Sequence, residues 1–357
     1  MMPTTSDPAL RAEPGPRRPH SPRHGRRGRA VLLIALVLVI AAGGAAFAYL
    51  GTLAATFDAS TQKIAAAFPQ DSDRPAATPA ADGRTPMNIL LVGSDSRGAT
   101  ASPAESGASS DQRSDTMLLV HLPADRKKAY IISITRDTWV PIPGHGSAKV
   151  NAALAFGGVP LMVQTVESLL HQRIDHVVLV DFEGFKGLTD AVGGVRVNVP
   201  APFTAGQTSG YRFGAGPQTL DGDQALAFVR ERYAFPDGDY QRVRDQQIFL
   251  KALLAPLARP ETIANPLTVS RMVGQFAPYL TVDRGLDARA VAALALEVKD
   301  LRPADIVSFT LPTSGTGTSA DGQSIVELDQ GAADALASAM AHGTVAEYLA
   351  DRNLQGS

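Results

Sequence analysis

The sequence predicts an α/β fold in which a mixed central sheet is flanked by helices, in an α/β/α layered arrangement, preceded by one transmembrane helix. Between residues 87 and 345, short apolar runs alternate with longer segments of helical periodicity. Two of the runs are joined by the turn-rich segment PADRKK, which indicates a hairpin and therefore a sheet with antiparallel as well as parallel neighbours. One uncharged stretch near the N-terminus is long enough to span a membrane.

The N-terminal segment has the charge pattern of a single-pass membrane anchor. Residues 1–29 contain seven arginines against Asp7 and Glu13, a charge of about +5, and predict a disordered cytoplasmic tail. Residues 30–57 contain no charged side chain, and 30–50 as a helix would be ~30 Å long, the thickness of the hydrocarbon core. The arginines orient the tail inward, so we expect the rest of the chain outside the cytoplasmic membrane. The alternative is a cleaved signal peptide, although the apolar stretch exceeds the ~7–15 residues usual there.

Composition excludes several classes of function. The 357 residues are 45% hydrophobic and 19% charged, enough to bury a substantial core. Cysteine is absent, which excludes disulfides, a cysteine nucleophile and thiolate metal sites. Because the whole chain carries a net charge of −2, the part after the basic tail is near −7. An acidic ectodomain argues against nucleic-acid binding.

The elements follow in order after the anchor. Residues 51–86, rich in Ala, Thr, Asp and Pro, predict a juxtamembrane stalk, residues 87–345 the extracytoplasmic domain, and residues 346–357 a C-terminal tail. Apolar runs predict strands at 88–92, 116–122, 129–135, 176–180, 195–199 and 305–311. Helical patterns lie at 150–170 (interrupted at Gly157 and Gly158), 182–191, 220–229, 240–258, 288–301 and 331–342. A Gly/Ser/Ala-rich segment near 97–112 predicts a polar loop.

Arginines and aspartates recur in pairs at the ends of the first three strands. The pairs are Asp95 with Arg97, Arg113 with Asp115, and Arg136 with Asp137. If the first two strands are antiparallel neighbours, all three pairs meet at one edge of the sheet, where open sheets commonly bind ligands. Arginine forks suit phosphate oxygens and paired carboxylates suit a hard divalent cation. Each pair alone is equally well explained as ordinary strand-end charges, but their recurrence favours a binding site.

Further arginines follow on two helices. Arg230 and Arg232 end one predicted helix, where cations also complement the helix dipole. Arg242 and Gln246 share one face of the next helix, and the short turn FPDGDY keeps the two arginine groups close. We therefore expect a basic wall, with Arg244 pointing elsewhere. Lys149, before the helix at 150–170, is expected to be a solvated lysine.

Several familiar catalytic motifs are absent from the sequence. It contains no GxxxxGK[ST] phosphate loop, no HExxH zinc motif and no G-x-S-x-G elbow. His121 and His176 lie in apolar strands and are expected to be packed, and His145 is a loop histidine with no obvious partner.

These motifs together resemble one known family. The segments VGSDSRG, RSDTMLLV, ISITRDTWVPIPGHGSAKVNAALAFGG, DHVVLVDFEGFKGLTDAVGGVRVNV and LDGDQALAFVRERYAFPDGDYQRVRDQQ resemble, in this order, the LytR-CpsA-Psr (LCP) family over residues 87–254. The resemblance implies an LCP-type domain anchored in the cell membrane. It also implies a phosphotransferase that moves a glycopolymer from a polyprenyl-pyrophosphate carrier onto peptidoglycan through a phosphodiester. The implied partners are the lipid-linked glycan, peptidoglycan and the cytoplasmic membrane.

Residue roles are carried over by matching the motifs. The resemblance implies that Asp95 and Asp115 hold Mg²⁺, with Mn²⁺ as the alternative, and that these two residues and Arg136 are catalytic. It implies pyrophosphate contacts from five further arginines and supporting roles for an acid and an amide: Arg97, Arg113, Arg230, Arg232, Arg242, Asp239 and Gln246. An acceptor hydroxyl needs a general base, for which Asp95 and Asp115 are the candidates.

Two alternatives to the transferase remain open from the sequence. The same site could pass the phosphoryl group to water, which would make the protein a lipid-pyrophosphate hydrolase. The protein could also be a non-catalytic binder or regulator of envelope glycans, although a 29-residue disordered cytoplasmic part is too small for a helix-turn-helix.

Overall fold

The fold is described from a computed structural model, which describes residues 51–76, 79, 83–94, 114–206, 210–236, 238–255 and 265–354. The predicted cytoplasmic tail, the predicted transmembrane helix and the predicted loop at 97–112 lie outside the described residues.

Strands and helices alternate along the chain. The strands are β1 (Gln62–Lys63), β2 (Met87–Ser94), β3 (Ser114–Leu122), β4 (Ala129–Ile134), β5 (Thr138–Ile142), β6 (Gly146–Lys149), β7 (His176–Asp181), β8 (Val195–Val199), β9 (Phe203–Thr204), β10 (Arg212–Phe213), β11 (Gly216–Leu220), β12 (Thr281–Val282), β13 (Ile306–Thr310), β14 (Thr313–Thr318) and β15 (Ser324–Leu328). The helices are α1 (51–60), α2 (Ala152–Leu170), α3 (Phe182–Ala191), α4 (Gly222–Arg230), α5 (Asp239–Leu254), α6 (Pro266–Phe276), α7 (Ala288–Glu297), α8 (Gln330–His342) and α9 (Val345–Asp351).

The central sheet has seven strands in the order β1-β12-β7-β2-β3-β4-β13. Its pairings are mixed, since β2 runs parallel to β7 and antiparallel to β3, and β3 runs antiparallel to β4. This confirms the predicted hairpin and the predicted antiparallel pairing of the first two strands. As a result, the C-terminal ends of β2, β4 and β7 and the N-terminal end of β3 all lie at the same edge of the sheet.

One face of the sheet packs on α2, α8 and α9. Alternate residues of the strands, such as Leu90 and Leu119, point into this main hydrophobic core. The helix α2 is long and apolar enough to cross a membrane, but it is mostly buried within the described part of the chain and is therefore a core helix. It bends at Gly157 and Gly158, as the sequence predicted, and Gly158 has φ 65°, which favours glycine.

The opposite face of the sheet is covered by α3, α4 and α5. A second hydrophobic core joins α4 and α5 to the antiparallel pair β8 and β11, with Phe213 and Phe228 at its centre.

A separate four-stranded sheet has the order β14-β15-β5-β6. Periodicity alone does not predict the strands of this second sheet, because β6 and β14 are short and rich in Gly, Ser and Thr and β5 contains a proline.

Both predicted boundaries of the domain need correction. In the predicted stalk, β1 joins the central sheet beside β12, and Phe57 and Ile64 are buried. In the predicted C-terminal tail, α9 buries Tyr348 and Leu349 against the main core. Both segments are short amphipathic pieces in polar surroundings, so composition alone marked them as linkers.

Candidate functional site

A cavity of about 590 Å³ lies between the central sheet and the helices α3, α4 and α5. Its walls are largely apolar, with leucine, valine and phenylalanine side chains from β2, β3, β7 and the three helices. The strand alternation explains this lining, because Leu91 and Leu118 face the cavity while their neighbours Leu90 and Leu119 face the main core. The volume is in the range of small-molecule sites, ~300–1,000 Å³.

Four arginines line the same cavity and make one part of it cationic. They are Arg136, Arg230, Arg232 and Arg242, accompanied by Gln246. Arg136 follows the C-terminal end of β4, at the sheet edge described above, and the others come from α4, the turn after it and α5. Five of the residues singled out from the sequence are thus in one place, and the predicted basic wall is present.

The turn after α4 holds two of these arginines in fixed positions. Glu231 is buried, and its carboxylate accepts backbone N–H groups from Arg232, Tyr233 and Ala234 at 2.6–2.9 Å and from Gly206 at 3.1 Å. The Arg230 guanidinium stacks over the Phe182 ring at 4.3 Å. Glu231 was not predicted as a functional residue, although its place between two arginines in FVRER was a visible signal.

The first turn of α5 holds two arginines of the basic wall in place. Asp239 Oδ1 lies 3.2 Å from Arg242 Nη1 and 3.7 Å from Arg232 Nη1, so one carboxylate joins arginines from two elements. Gln246, one helical turn beyond Arg242, donates to the Val229 carbonyl at 3.2 Å. Arg242 is only 5% exposed, and Arg244 is exposed and interacts with Gln241, as expected for a residue pointing elsewhere.

Asp137 and Lys149 extend this cluster beyond what the sequence analysis expected. Lys149 Nζ lies 3.1 Å from Asp137 Oδ1, and Arg136 Nε lies 3.5 Å from Asp137 Oδ2. Burial alone would raise the pKa of Asp137, but Arg136, a hydrogen bond with Asp239 and the ammonium of Lys149 together lower it below its ordinary value. The expectation of a solvated lysine was therefore wrong. Lys149 ends β6, which pairs with the strand after Asp137, so the hairpin itself brings the two together.

Asp95, Arg97 and Arg113 lie outside the described residues, and Asp115 is described only as part of the backbone of β3. The neighbouring residues Ser94 and Ser114 pair with each other after a β-bulge in the ladder, at the edge that carries the arginines. Within the described residues, no three His, Cys, Asp or Glu side chains form a group that could hold a metal ion.

Other features of the described chain offer no comparable site. A cavity of about 830 Å³ lies at the opposite ends of β2 and β3, but its walls mix acids and bases, and its Arg126 binds Glu297 at 2.8 Å. His121 is buried and bonded to Asn88 at 2.8 Å, and burial lowers its pKa to about 4. His176 lies 3.1 Å from the buried Asp283. Both histidines are packed, as the sequence predicted.

The chemistry of the main cavity suits an amphiphile with an anionic head group. Guanidinium groups bind phosphate oxygens through two parallel hydrogen bonds, and the buried position of Arg242 strengthens such contacts. The apolar walls suit a hydrocarbon chain, which binds by the removal of apolar surface from water.

Comparison with known proteins places the chain in a family. The model of the LytR_cpsA_psr family matches residues 51–342. Among curated proteins, the chain is 35% identical to a polyisoprenyl-teichoic acid–peptidoglycan teichoic acid transferase TagU of Enterococcus faecalis, over 52% of this chain and 58% of that protein. It is 36% identical to the probable cell wall biosynthesis protein LcpB of Corynebacterium glutamicum, over 71% of this chain and 60% of that protein. The matched region thus spans a little over half the length of these relatives.

Solved structures share the fold. The B. subtilis TagV structure matches with a TM-score of 0.59 and 27% identity, over 74% of this chain and 97% of that one. A structure of TagT bound to LI-WTA matches with a TM-score of 0.55 and 26% identity, over 80% of this chain and 98% of that one.

Proposed function

The chain belongs to the LytR-CpsA-Psr family, and we propose that it is a phosphotransferase of the cell envelope. In this proposal it moves a glycopolymer from a polyprenyl-pyrophosphate carrier to peptidoglycan and leaves the two joined by a phosphodiester. The observation that carries the proposal is the set of four arginines on the wall of an apolar cavity. The similarity of the chain to the teichoic acid transferases TagU and to the structure of TagT bound to LI-WTA supports the same class of donor.

Each part of the site has a role in this reaction. The apolar walls bind the polyprenyl chain, and Arg136, Arg230 and Arg232 contact the pyrophosphate, with Arg97 and Arg113 as further contacts. Arg242 neutralises charge on the polyprenyl phosphate as it departs. Phosphoryl transfer needs mainly positioning and charge neutralisation from the protein, and these residues supply both. Asp239 contacts the side chains of Arg232 and Arg242, Glu231 fixes the backbone at Arg232, and Gln246 ties α5 to the end of α4.

Asp95 and Asp115 would hold Mg²⁺, or Mn²⁺ in its place. The fit rests on chemistry and position: two carboxylates are suitable ligands for a hard cation, and the adjoining Ser94 and Ser114 pair at the arginine-bearing edge. Magnesium commonly keeps several waters and takes further oxygens from a substrate phosphate, so a small protein donor set suffices. When bound, the ion would offset negative charge on the pyrophosphate.

The acceptor hydroxyl must lose a proton, for which Asp95 or Asp115 remains the candidate. Asp137 is less suited to this role, because its lowered pKa makes it a weak base. Its contacts instead hold Arg136 and Lys149 in place. We further propose that residues 30–50 anchor the protein in the cytoplasmic membrane with the catalytic domain outside, where lipid-linked glycans and peptidoglycan meet.

The proposal is tested with the full-length protein in detergent. It is incubated with Mg²⁺, a polyprenyl-pyrophosphate-linked glycan and uncrosslinked peptidoglycan oligomers, and the products are separated. The expected product is a glycan–peptidoglycan conjugate, lost in Arg136→Ala and Asp115→Ala and retained in Arg271→Ala, an exposed residue of α6. Free glycan phosphate without conjugate would instead identify a hydrolase, and tight binding of the donor without turnover a non-catalytic binder.

A further inference from the structure

The second sheet carries an open face with a tryptophan at its centre. Trp139 is the only tryptophan of the chain and lies in β5 between the buried residues Thr138 and Val140. Because side chains alternate along a strand, the partly exposed Trp139 points to the face opposite the core, as does the exposed Pro141. The helix α2 packs against one side of this sheet, and Trp139 on the other side is partly exposed.

A row of residues crosses the sheet through this tryptophan. Trp139 pairs with Lys149 of β6 on one side and with Glu327 of β15 on the other, and Glu327 pairs with Gly315 of the edge strand β14. Residues paired in this way present side chains on one face. Glu327 is exposed, and within the described residues its carboxylate makes no hydrogen bond or ion pair.

Glycine keeps the edge of this face flat. A Cβ atom at Gly317 would lie 2.3 Å from Glu327 Oε1, so the acid lies across β14 where any larger residue would displace it. The face therefore presents Trp139 and the Glu327 carboxylate side by side, next to Gly315 and Gly317 of β14. Flat aromatic surface beside hydrogen-bonding groups is the arrangement that binds sugar rings, whose C–H faces are apolar and whose edges are polar.

This face adjoins the cationic part of the cavity. Lys149 reaches Asp137 at 3.1 Å, and Asp137 is only two residues from Trp139, ~7 Å along an extended chain. At the opposite edge of the second sheet, the Tyr240 hydroxyl in the first turn of α5 forms a hydrogen bond with Thr313 Oγ1 of β14 at 2.9 Å. Tyr240 directly follows Asp239, which binds Arg232 and Arg242.

We propose that this face, made of Trp139, Glu327 and Lys149, binds the acceptor glycan. The occupant is the amino-sugar strand of peptidoglycan, with one ring stacked on Trp139 and a hydroxyl or acetamido N–H donated to Glu327. The inference rests on the proposed function and deepens it.

The geometry of the reaction gives the reason for an acceptor there. The acceptor hydroxyl oxygen forms a bond to the transferred phosphorus, its proton passes to the base, and the phosphorus–oxygen bond to the polyprenyl phosphate breaks. The entering and leaving oxygens are roughly in line. Because the leaving group lies in the apolar cavity, the acceptor must approach from outside it, where the second sheet borders the arginines.

Binding can be measured without turnover, because the emission of the full-length chain comes from Trp139 alone among tryptophans. The protein in detergent is titrated with soluble uncrosslinked peptidoglycan oligomers while tryptophan fluorescence is recorded. We expect a saturable change in emission, with an affinity reduced several-fold in Glu327→Gln and unchanged in Glu347→Gln, an exposed acid of α9. Unchanged emission at oligomer concentrations that saturate transfer would overturn the proposal.

Steady-state transfer kinetics give the second test. Trp139→Ala should raise the KM for the oligomer about tenfold, the effect of losing ~1.4 kcal/mol of stacking, and Trp139→Phe should restore most of it. A rise in the donor KM instead would assign the face to the donor glycan and overturn the proposal. If wild-type protein shows the fluorescence change but no transfer, the proposed function fails while the glycan face stands.

Discussion

Arg242→Ala should separate the chemical role of Arg242 in the basic wall from its structural role. Arg242 is 5% exposed, lines the cavity, and lies 3.2 Å from Asp239. Removing one preorganised donor to a charged reacting group costs ~2.7–4 kcal/mol in the transition state, so we expect transfer to slow by about 10²–10³-fold.

The same change should be mild for folding. Asp239 keeps the Arg232 contact at 3.7 Å, so it is not left as an isolated buried charge. We expect the free energy of unfolding to fall by ~1–3 kcal/mol, the usual loss for a buried hydrogen-bonded group, and the Tm to fall by only a few degrees. Arg242→Lys retains the charge but cannot form a bidentate contact with a phosphate, and should recover part of the rate.

The assay measures conjugate formation and thermal unfolding on the same preparations of full-length protein, with Arg271→Ala as the matched surface control. A wild-type rate in Arg242→Ala would refute the proposal that Arg242 neutralises charge on the departing polyprenyl phosphate. A rate loss that only matches the unfolded fraction would show that Arg242 is purely structural.

Three further changes test the cavity, the packed N-terminal segment and the buried histidine. Leu250→Trp, which fills part of the apolar cavity, should weaken donor binding at least tenfold in a lipid-binding titration, whereas Leu267→Trp on the exposed face of α6 should bind as wild type. Glu167 is 1% exposed and bonds Arg74 Nη2 at 2.7 Å, so Glu167→Ala should lower the free energy of unfolding by ~3–5 kcal/mol; a loss below 1 kcal/mol in urea titration would show that the pair is dispensable. The pKa of His121 falls from 6.5 to about 4 on folding, so the unfolded chain binds more protons between these values. The contribution of His121 to the free energy of unfolding is therefore full above about pH 6.5 and decreases as the pH falls, by ~2 kcal/mol at pH 5. In His121→Gln the urea midpoint should change less between pH 7.5 and pH 5, and an equal change in both proteins would contradict the prediction.

Strongly apolar elements of the fold could be predicted from the sequence. The strand at 195–199 and the helix at 182–191 have the bounds that periodicity indicated, because each has a clear apolar side and lies between turn residues. The short strands of the second sheet could not be predicted in this way. Trp139 and Glu327, for example, are adjacent only through long-range pairing of strands almost 190 residues apart, which local periodicity does not contain.

In the candidate site, too, the residues that are close through local sequence were predictable, and those brought together by strand pairing were not. The arginines on α4 and α5 were predictable because a short turn joins the two helices, so their proximity is local. The supporting carboxylates were not all predictable. Lys149 pairs with Asp137 because β5 and β6 form a hairpin, and without that hairpin a lysine before a helix is expected to face solvent.

The proposed function requires the apolar cavity and its arginines to bind one lipid together. The most direct measurement compares the binding of polyprenyl pyrophosphate with that of the uncharged polyprenol of equal length, using full-length protein and the Arg230→Ala/Arg232→Ala double variant. We predict that the pyrophosphate binds at least 100-fold more tightly to the wild type, as expected for two or more charge-assisted contacts, and that most of this preference is lost in the variant. Equal affinity for the two lipids, or a preference that persists without the two arginines, would contradict the account.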